Sequence, residues 1–474
     1  MLNAVEDAAT ISAGRESMLS DLHMAKPPRL LLIAFACAPN RGSEWGLSWN
    51  FARELARKQP VSIITHIENQ AEIDAHLASN ATEFPIDVRY VTLPRWMNRL
   101  GAAVYAFFNI QYLLWQRSAA RAARQMHATQ AFNIVHHVSL VRWWMPSAGA
   151  TLATRQGGAM FIFGPVGGGE PMPKRFRGGI GVRARLSELI RNVAVGVWSL
   201  DPTLRRCVRR SSIVLACTPH AATRLALYRP VRLETIAAAV TSSPSIVEDA
   251  RAHRAARQAG QRFRVVSSGG LSYYRGVDLC LRAFAKAGLA DAEYIHASDG
   301  PDRARLEALA ASLGIADRVR FLGDQPHAEN VKAVATADVY MHAVLRDSQG
   351  LIPDAMSLGI PVLTLDQNTM SLLVDESCGH KVPMGKTATP ETVVDEMARV
   401  LRQWHDDPAL RDRLGAAGIV RAEQFTPAGR TAIFRAMYAR LMEAGRTAAA
   451  PVPAAPYAET SARSVGPKRL GARG

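Results

Sequence analysis

Residues 345–366 read Leu-Arg-Asp-Ser-Gln-Gly-Leu-Ile-Pro-Asp-Ala-Met-Ser-Leu-Gly-Ile-Pro-Val-Leu-Thr-Leu-Asp. Pro353 suits the first turn of a helix, where its missing N–H has no partner to lose. Gly359 suits the end of that helix, where a left-handed residue is favoured. An apolar strand over 361–365 follows at once. Two carboxylates, Asp347 and Asp354, flank the turn that feeds the helix. Loop, helix N-terminus, helix and strand in this order make an anion site beside carboxylates. Such a site suits a ligand that is both polyanionic and rich in hydroxyls.

The same alternation runs through most of the chain. Residues 29–37 (RLLLIAFAC) are a continuous apolar run, the mark of a strand buried on both faces. A Pro-Asn-Arg-Gly-Ser loop, a helix over 44–58, Pro60 and a strand over 61–65 complete a βαβ unit. Further strands are expected over 88–93, 134–137, 160–163 and 213–217. Residues 241–262, rich in Ser, Ala and Arg, lack a strand and read as the link between two halves. The pattern restarts with strands over 263–267, 293–297, 319–322 and 339–342 and helices over 276–287, 303–313 and 328–335. Helices near 390–404 and 426–444 close it. The fold class is α/β: two doubly wound, Rossmann-like domains facing across a cleft. The expected boundaries are a disordered leader over 1–26, an N-terminal domain over 27–240 and a link over 241–262. A C-terminal domain over 263–425, a helix over 426–445 returning toward the N-terminal domain, and a disordered basic tail over 446–474 complete the chain.

Composition narrows the class. At 474 residues the chain is too long for one ordinary core. A 48% hydrophobic content fits a folded protein, and no run of about 18 apolar residues predicts a membrane span. Residues 1–26 have no basic start and no apolar centre, so they do not read as a signal peptide. The five cysteines are dispersed without a C-x-x-C pair, which argues against zinc and for a reducing compartment. The formal charge of +16 fits phosphorylated ligands or anionic lipid. No recognition module accompanies that charge, so nucleic acid is not the expected partner.

Several motifs follow strands and therefore fall on one side of the sheets. Arg41-Gly42-Ser43-Glu44 sits between the first strand and first helix, where backbone N–H groups can hold a phosphate or a sugar hydroxyl. Ser43 and Glu44 also suit a helix cap and a dipole-complementing charge. His136 and His137 follow the fourth strand. Strand neighbours point to opposite faces, so one of the two enters the cleft. Gly164–Glu170 forms a glycine-rich loop in which Gly167 and Gly168 permit close backbone approach. Asp299 and Gly300 form a turn before a Pro-initiated helix.

These stretches together resemble the family 4 glycosyltransferases of the GT-B fold, in a bacterial polysaccharide or lipopolysaccharide subgroup. The resemblance rests on Ser268-Gly-Gly-Leu-Ser-Tyr-Tyr-Arg-Gly-Val-Asp-Leu, Ala297-Ser-Asp-Gly-Pro-Asp-Arg, Val319-Arg-Phe-Leu-Gly-Asp and Asp354-Ala-Met-Ser-Leu-Gly-Ile-Pro-Val. In the first half it rests on Ala36-Cys-Ala-Pro-Asn-Arg-Gly-Ser-Glu-Trp-Gly-Leu-Ser-Trp-Asn, Val135-His-His-Val-Ser and Phe163-Gly-Pro-Val-Gly-Gly-Gly-Glu.

The resemblance implies transfer of a sugar from a nucleotide-diphosphate donor to a polysaccharide or lipid-linked glycan with retention of configuration. It implies no cofactor and no essential metal, the nucleotide sugar being a substrate. His136, Arg275 and Asp347 are the implied catalytic set. Arg275 stands where the family has a lysine that meets the diphosphate, and arginine can chelate phosphate with two N–H groups. Gly42, Ser43, Asp299, Gly300, Gly350 and Asp354 are implied at the donor, with Asp354 on the ribose hydroxyls. Glu44, Gly167, Gly168 and Glu170 are implied on the acceptor side.

The chain departs from the family at three places. Gly270 replaces an arginine, Arg346 stands eight positions before Asp354 where the family has a glutamate, and Asn368-Thr369 replaces a Gly-Gly pair. These departures keep open a catalytically degenerate GT-B scaffold, or an epimerase or hydrolase on the same fold. Basic segments with interleaved apolar residues over 95–124 and 175–191 predict peripheral attachment to anionic lipid on the cytoplasmic face of the plasma membrane.

Overall fold

The computed structural model describes residues 27–39, 41, 43–79, 85–93, 105–153, 158–256, 262–346 and 348–446. The calls on the leader, the tail, Gly42, Asp347 and the 95–104 stretch lie outside the described residues, as does the side chain of Ser43. His23–Arg435 form one unit.

Strand β1 (Leu30–Ala34) is buried along its whole length, as its unbroken apolar sequence predicts. It pairs in parallel with β2 (Val61–His66) on one side and β4 (Ile134–Ser139) on the other. With β3 (Ile86–Val91), β5 (Met160–Val166), β6 (Ile213–Ala216) and β7 (Leu233–Thr235), these make a seven-stranded parallel sheet of order β3-β2-β1-β4-β5-β6-β7.

The second sheet holds β8 (Phe263–Ser268), β9 (Ala292–Ala297), β10 (Val319–Phe321), β11 (Val339–His342), β12 (Val362–Asp366) and β13 (Gly379–Pro383). Its order is β10-β9-β8-β11-β12-β13, again all parallel. Chain order reverses between β1 and β4 in the first sheet and between β8 and β11 in the second. Crevices open at such reversals, beyond the carboxyl ends of the strands. Strands β7 and β13 were not expected. Both are short, and β7 carries no apolar run to announce it.

The link is shorter than 241–262. Pro244–Ala255 is a helix whose Val247 and Ala250 are buried in the core of the second sheet. Arg251 donates to the Ser357 carbonyl at 3.1 Å, and Arg254 to those of Ala335 and Ala337. This helix therefore belongs to the second half. In the other direction, Met172, Phe176 and Ile180 of the first half are buried in the second half's core. The first core is built on Phe35, whose ring meets Tyr112 and Trp115 edge-on at 5.2 and 5.0 Å.

All five cysteines are free and buried. Among the described residues no helix is long and apolar enough to cross a membrane, and no three His, Cys, Asp or Glu side chains could hold a metal ion.

Candidate functional site

Both reversals carry chemistry. At β1/β4, His136 and His137 lie within β4 and not after it, both buried, and they meet different neighbours: His136 the rings of Phe51 and Phe434, His137 that of Phe163. His136 Nε2 donates to the Gly164 carbonyl at 2.6 Å, which fixes the proton on Nε2. Burial pushes its pKa down to about 3, so the ring is neutral near pH 7. It lines a cavity of about 60 Å³ with Glu44, Phe51, Arg430 and Phe434. The cavity is too small for a hexose.

Arg430 and Phe434 come from the last helix, Pro427–Arg446, and the Phe434 ring lies 5.0 Å from that of His136. Arg430 was not anticipated, because nothing near it in sequence marks it. The helix Ser43–Ala56 brings in Glu44, whose Oε2 accepts from the Val141 N–H at 3.3 Å. Burial raises the pKa of this carboxyl, while the Val141 N–H and Arg142 oppose the rise.

The glycine-rich loop packs on protein. A Cβ on Gly167 would lie 2.2 Å from Cys217 Sγ, and one on Gly168 3.4 Å from the Trp144 ring. Glu170 is buried, and its Oε1 accepts from Thr218 Oγ1 at 2.7 Å. Its carbonyl accepts from Arg191 at 2.5 Å.

At β8/β11 the strand ends form a buried polar layer. Ser267 Oγ meets Tyr294 Oη at 2.5 Å and His296 Nδ1 at 2.7 Å, and Ser268 Oγ meets Tyr340 Oη at 2.7 Å. His296 Nε2 donates to the Gly269 carbonyl at 2.8 Å, and His342 Nε2 to the Ser348 carbonyl at 2.9 Å. Leu351 N–H donates to Tyr340 Oη at 3.0 Å. Burial pushes both histidines down to about 4, so each stays neutral and fixes a loop carbonyl. His296, His342 and Tyr340 thereby hold the loops above the layer. The layer has a signal in the sequence that was missed. Tyr294-Ile-His296 and Tyr340-Met-His342 repeat one Tyr-x-His pattern at two strand ends, and i, i+2 residues share a face.

Gly350 rests on this layer at φ +54°, and a Cβ there would lie 2.6 Å from His342 Cε1 and 2.8 Å from Tyr340 Oη. Arg275, in a short 3₁₀ turn, donates to Ser348 Oγ, and its Nη1 lies 3.4 Å from the position of a Cβ on Gly269. Its Nε is buried with no hydrogen-bond partner among the described residues. Gly300 packs on Leu271, leaving no room for a side chain. Asp299 lies in the same loop. The Gly300 N–H and the Arg303 guanidinium hold its carboxyl below the usual range.

The opening motif differs from expectation in one respect. The helix Ile352–Ser357 has Pro353 in its first turn and Gly359 at φ +68° beyond its end, as read from the sequence. It has only six residues, all of them buried. Leu351 N–H is taken by Tyr340, so this helix start is not an open anion site. Asp354 is 2% exposed, and its Oδ1 accepts from Ser242 N–H at 2.7 Å. Burial raises its pKa against those hydrogen bonds. Its carboxylate thus joins the link to the second sheet. Thr369, in place of a glycine, is buried and donates to the Cys217 carbonyl of the first half at 3.2 Å.

Arg346 is paired with a residue of the first half. Its Nη1 donates to Glu188 Oε1 at 2.8 Å, and its guanidinium lies 3.5 Å from the centre of the Tyr274 ring.

Two parallel doubly wound sheets, of seven and six strands, define the GT-B fold. Residues 249–421 match the family Glycosyl transferases group 1. The chain is 24% identical over 220 residues to alpha-D-kanosaminyltransferase of Streptomyces kanamyceticus, a match covering 44% of this chain and 55% of that protein. It is 30% identical over 222 residues to 2-deoxystreptamine glucosyltransferase of the same organism, covering 43% and 54%. The chain spans about half the length of these curated relatives. Anabaena HepE in complex with UDP has the same fold, with a TM-score of 0.54 at 15% identity over 88% of this chain and 100% of that one.

Proposed function

We propose that this chain is a retaining glycosyltransferase that moves a hexose-type sugar from a nucleoside diphosphate to a polysaccharide or lipid-linked glycan. The observation that carries the reading is Arg275. It is a guanidinium at the β8/β11 reversal, tied to Ser348, with its buried Nε unpartnered among the described residues, inside the segment matched to group 1 glycosyl transferases.

Transfer breaks the bond between the anomeric carbon and a diphosphate oxygen. The electron pair stays on the diphosphate, whose negative charge grows as the bond opens. Arg275 stabilises that charge, in the role for which a fixed cation is most effective. The acceptor hydroxyl bonds to the same carbon from the same face and gives its proton to the leaving diphosphate. Asp347 addresses the sugar, and His136, neutral at pH 7 and buried beside a cavity too small for a hexose, acts by holding the Gly164 carbonyl. The loops at Asp299–Gly300 and Gly350 address the nucleotide. Glu44 and the loop from Gly167 to Glu170 lie on the acceptor side. The cation is supplied by Arg275, and no essential metal is part of this scheme. The acceptor is met at the inner face of the plasma membrane. The UDP complex of the Anabaena neighbour supports a uridine donor as the first to test.

Isothermal titration with UDP, GDP and ADP, followed by a transfer assay with the matching sugar nucleotide, tests the reading. One nucleotide should bind, and Arg275→Ala should abolish transfer. If none binds, the transferase reading fails and a scaffold is left. Donor consumed without acceptor makes the chain a hydrolase or epimerase.

A further inference from the structure

The helix Val182–Trp198 has two unlike faces. Glu188 and Val195 are buried. Val182, Leu186, Leu189, Ile190, Val193 and Val197 are exposed, each by 54% or more. At about 100° per residue these six fall within an arc of about 100°, roughly opposite Glu188 and Val195. Seventeen residues make the stripe about 25 Å long. Large apolar side chains exposed singly need no explanation, whereas a continuous stripe of six marks an interaction surface.

The surroundings select the occupant. Arg183 and Arg185 are exposed and flank the stripe on either side. Lys174 and Arg175 are exposed in the turn just before the helix, and Arg205, Arg206, Arg209 and Arg210 in the helix just after it. An apolar stripe with flanking arginines on a basic protein is the pattern of a helix lying in the plane of an anionic bilayer surface. A second copy of the chain fits less well. A two-fold interface sets a patch against itself, and the flanking arginines would then meet their own copies.

We propose that Val182–Trp198 is an interfacial helix that seats the protein on anionic phospholipid. The opposite side of the same helix meets loops of both halves. Glu188 accepts from Tyr273 at 2.9 Å and from Arg346 at 2.8 Å, while Arg191 binds the carbonyl of Glu170. One helix thus joins the lipid-facing surface to loops of both halves. The proposal depends on the transferase reading only for why a membrane is useful, and its test uses no donor.

The full chain is floated with phosphatidylcholine vesicles, with and without phosphatidylglycerol. The wild type should bind only the anionic vesicles. Leu189→Asp with Val193→Asp should lower vesicle affinity at least on the order of tenfold. Arg183→Gln with Arg185→Gln should weaken binding and flatten its salt dependence. Circular dichroism and thermal melting of each variant confirm that the fold is kept, since both pairs lie on exposed positions. The proposal is overturned if wild type ignores anionic vesicles, or if the aspartate variant binds them as wild type does. It is also overturned if the wild type sediments as a dimer that the aspartate variant makes monomeric.

Discussion

Glu188 and Arg346 stand 158 residues apart in sequence and form one ion pair at 2.8 Å. Glu188 is 1% exposed and also accepts from Tyr273 Oη at 2.9 Å. The acid at this pair comes from the first half and the base from the second. Arg346 occupies the place where the resembled family carries an acid, and the charge it brings is answered by a helix of the other half.

Breaking this pair should loosen the two halves. Removing one partner of a buried pair leaves the other uncompensated. Glu188→Ala should therefore cost about 3 kcal/mol in a urea titration. Adding Arg346→Ala should recover part of that loss, giving a coupling energy of about 1–3 kcal/mol. Strict additivity of the two substitutions would show that the pair does no work in the fold.

Arg275 is expected to act on turnover more than on folding. Loss of a group aimed at developing charge typically costs about 10²–10³ in rate. Arg275→Ala should lose that much in kcat with its melting temperature nearly unchanged, and Arg275→Lys should recover part of it. A variant that melts early but turns over normally would place Arg275 in the scaffold instead.

Gly350 tests the polar layer. An alanine there meets His342 and Tyr340 at 2.6–2.8 Å and adopts a left-handed φ of +54°. Strain of this kind costs about 1–3 kcal/mol. Gly350→Ala should weaken nucleotide binding as well as stability, because the loop it belongs to carries Ser348, the partner of Arg275. Unchanged affinity by titration would detach the layer from the ligand site.

Asp354 separates two roles. Alanine there strands the buried Ser242 N–H, which costs about 1–3 kcal/mol. Asparagine keeps an acceptor for that N–H. If the asparagine variant keeps its melting temperature but loses nucleotide affinity, the carboxylate serves the ribose. If affinity is kept, it serves the link alone, and that is the expected result.

Acid should unfold the protein early. His136, His137, His296 and His342 have folded pKa values depressed by burial from 6.5 to about 3 or 4. The unfolded chain binds protons to them below pH 6.5 while the folded chain does not. Their contribution is fully present above pH 6.5 and is lost as pH falls toward 4. Each histidine withdraws about 1.4 kcal/mol per pH unit in that window. Urea midpoints measured at pH 7.5, 6.5 and 5.5 should be level between the first two and fall at the third. A flat profile down to pH 5 would mean these rings are solvated.

The α/β class, the parallel strands and the restart of the pattern after residue 262 were legible because a parallel strand buried on both faces must be written as a continuous apolar run. Pro353 and Gly359 were legible for the same local reason, since a helix start and stop constrain individual backbone angles. Local sequence also put His136 at the fourth strand, and the resemblance singled out Arg275. It did not give the partners of any of these groups. Arg430, Glu188, Thr369 and Ser242 reach the site from distant parts of the chain, and burial, which neutralises four histidines and encloses Asp354, exists only once the sheets are covered. The 345–366 stretch alone looked like an open anion site between two acids. In the folded protein Tyr340 caps its helix and Ser242 holds its second acid, because a hydrogen bond between residues far apart in sequence is decided by packing and not by spacing.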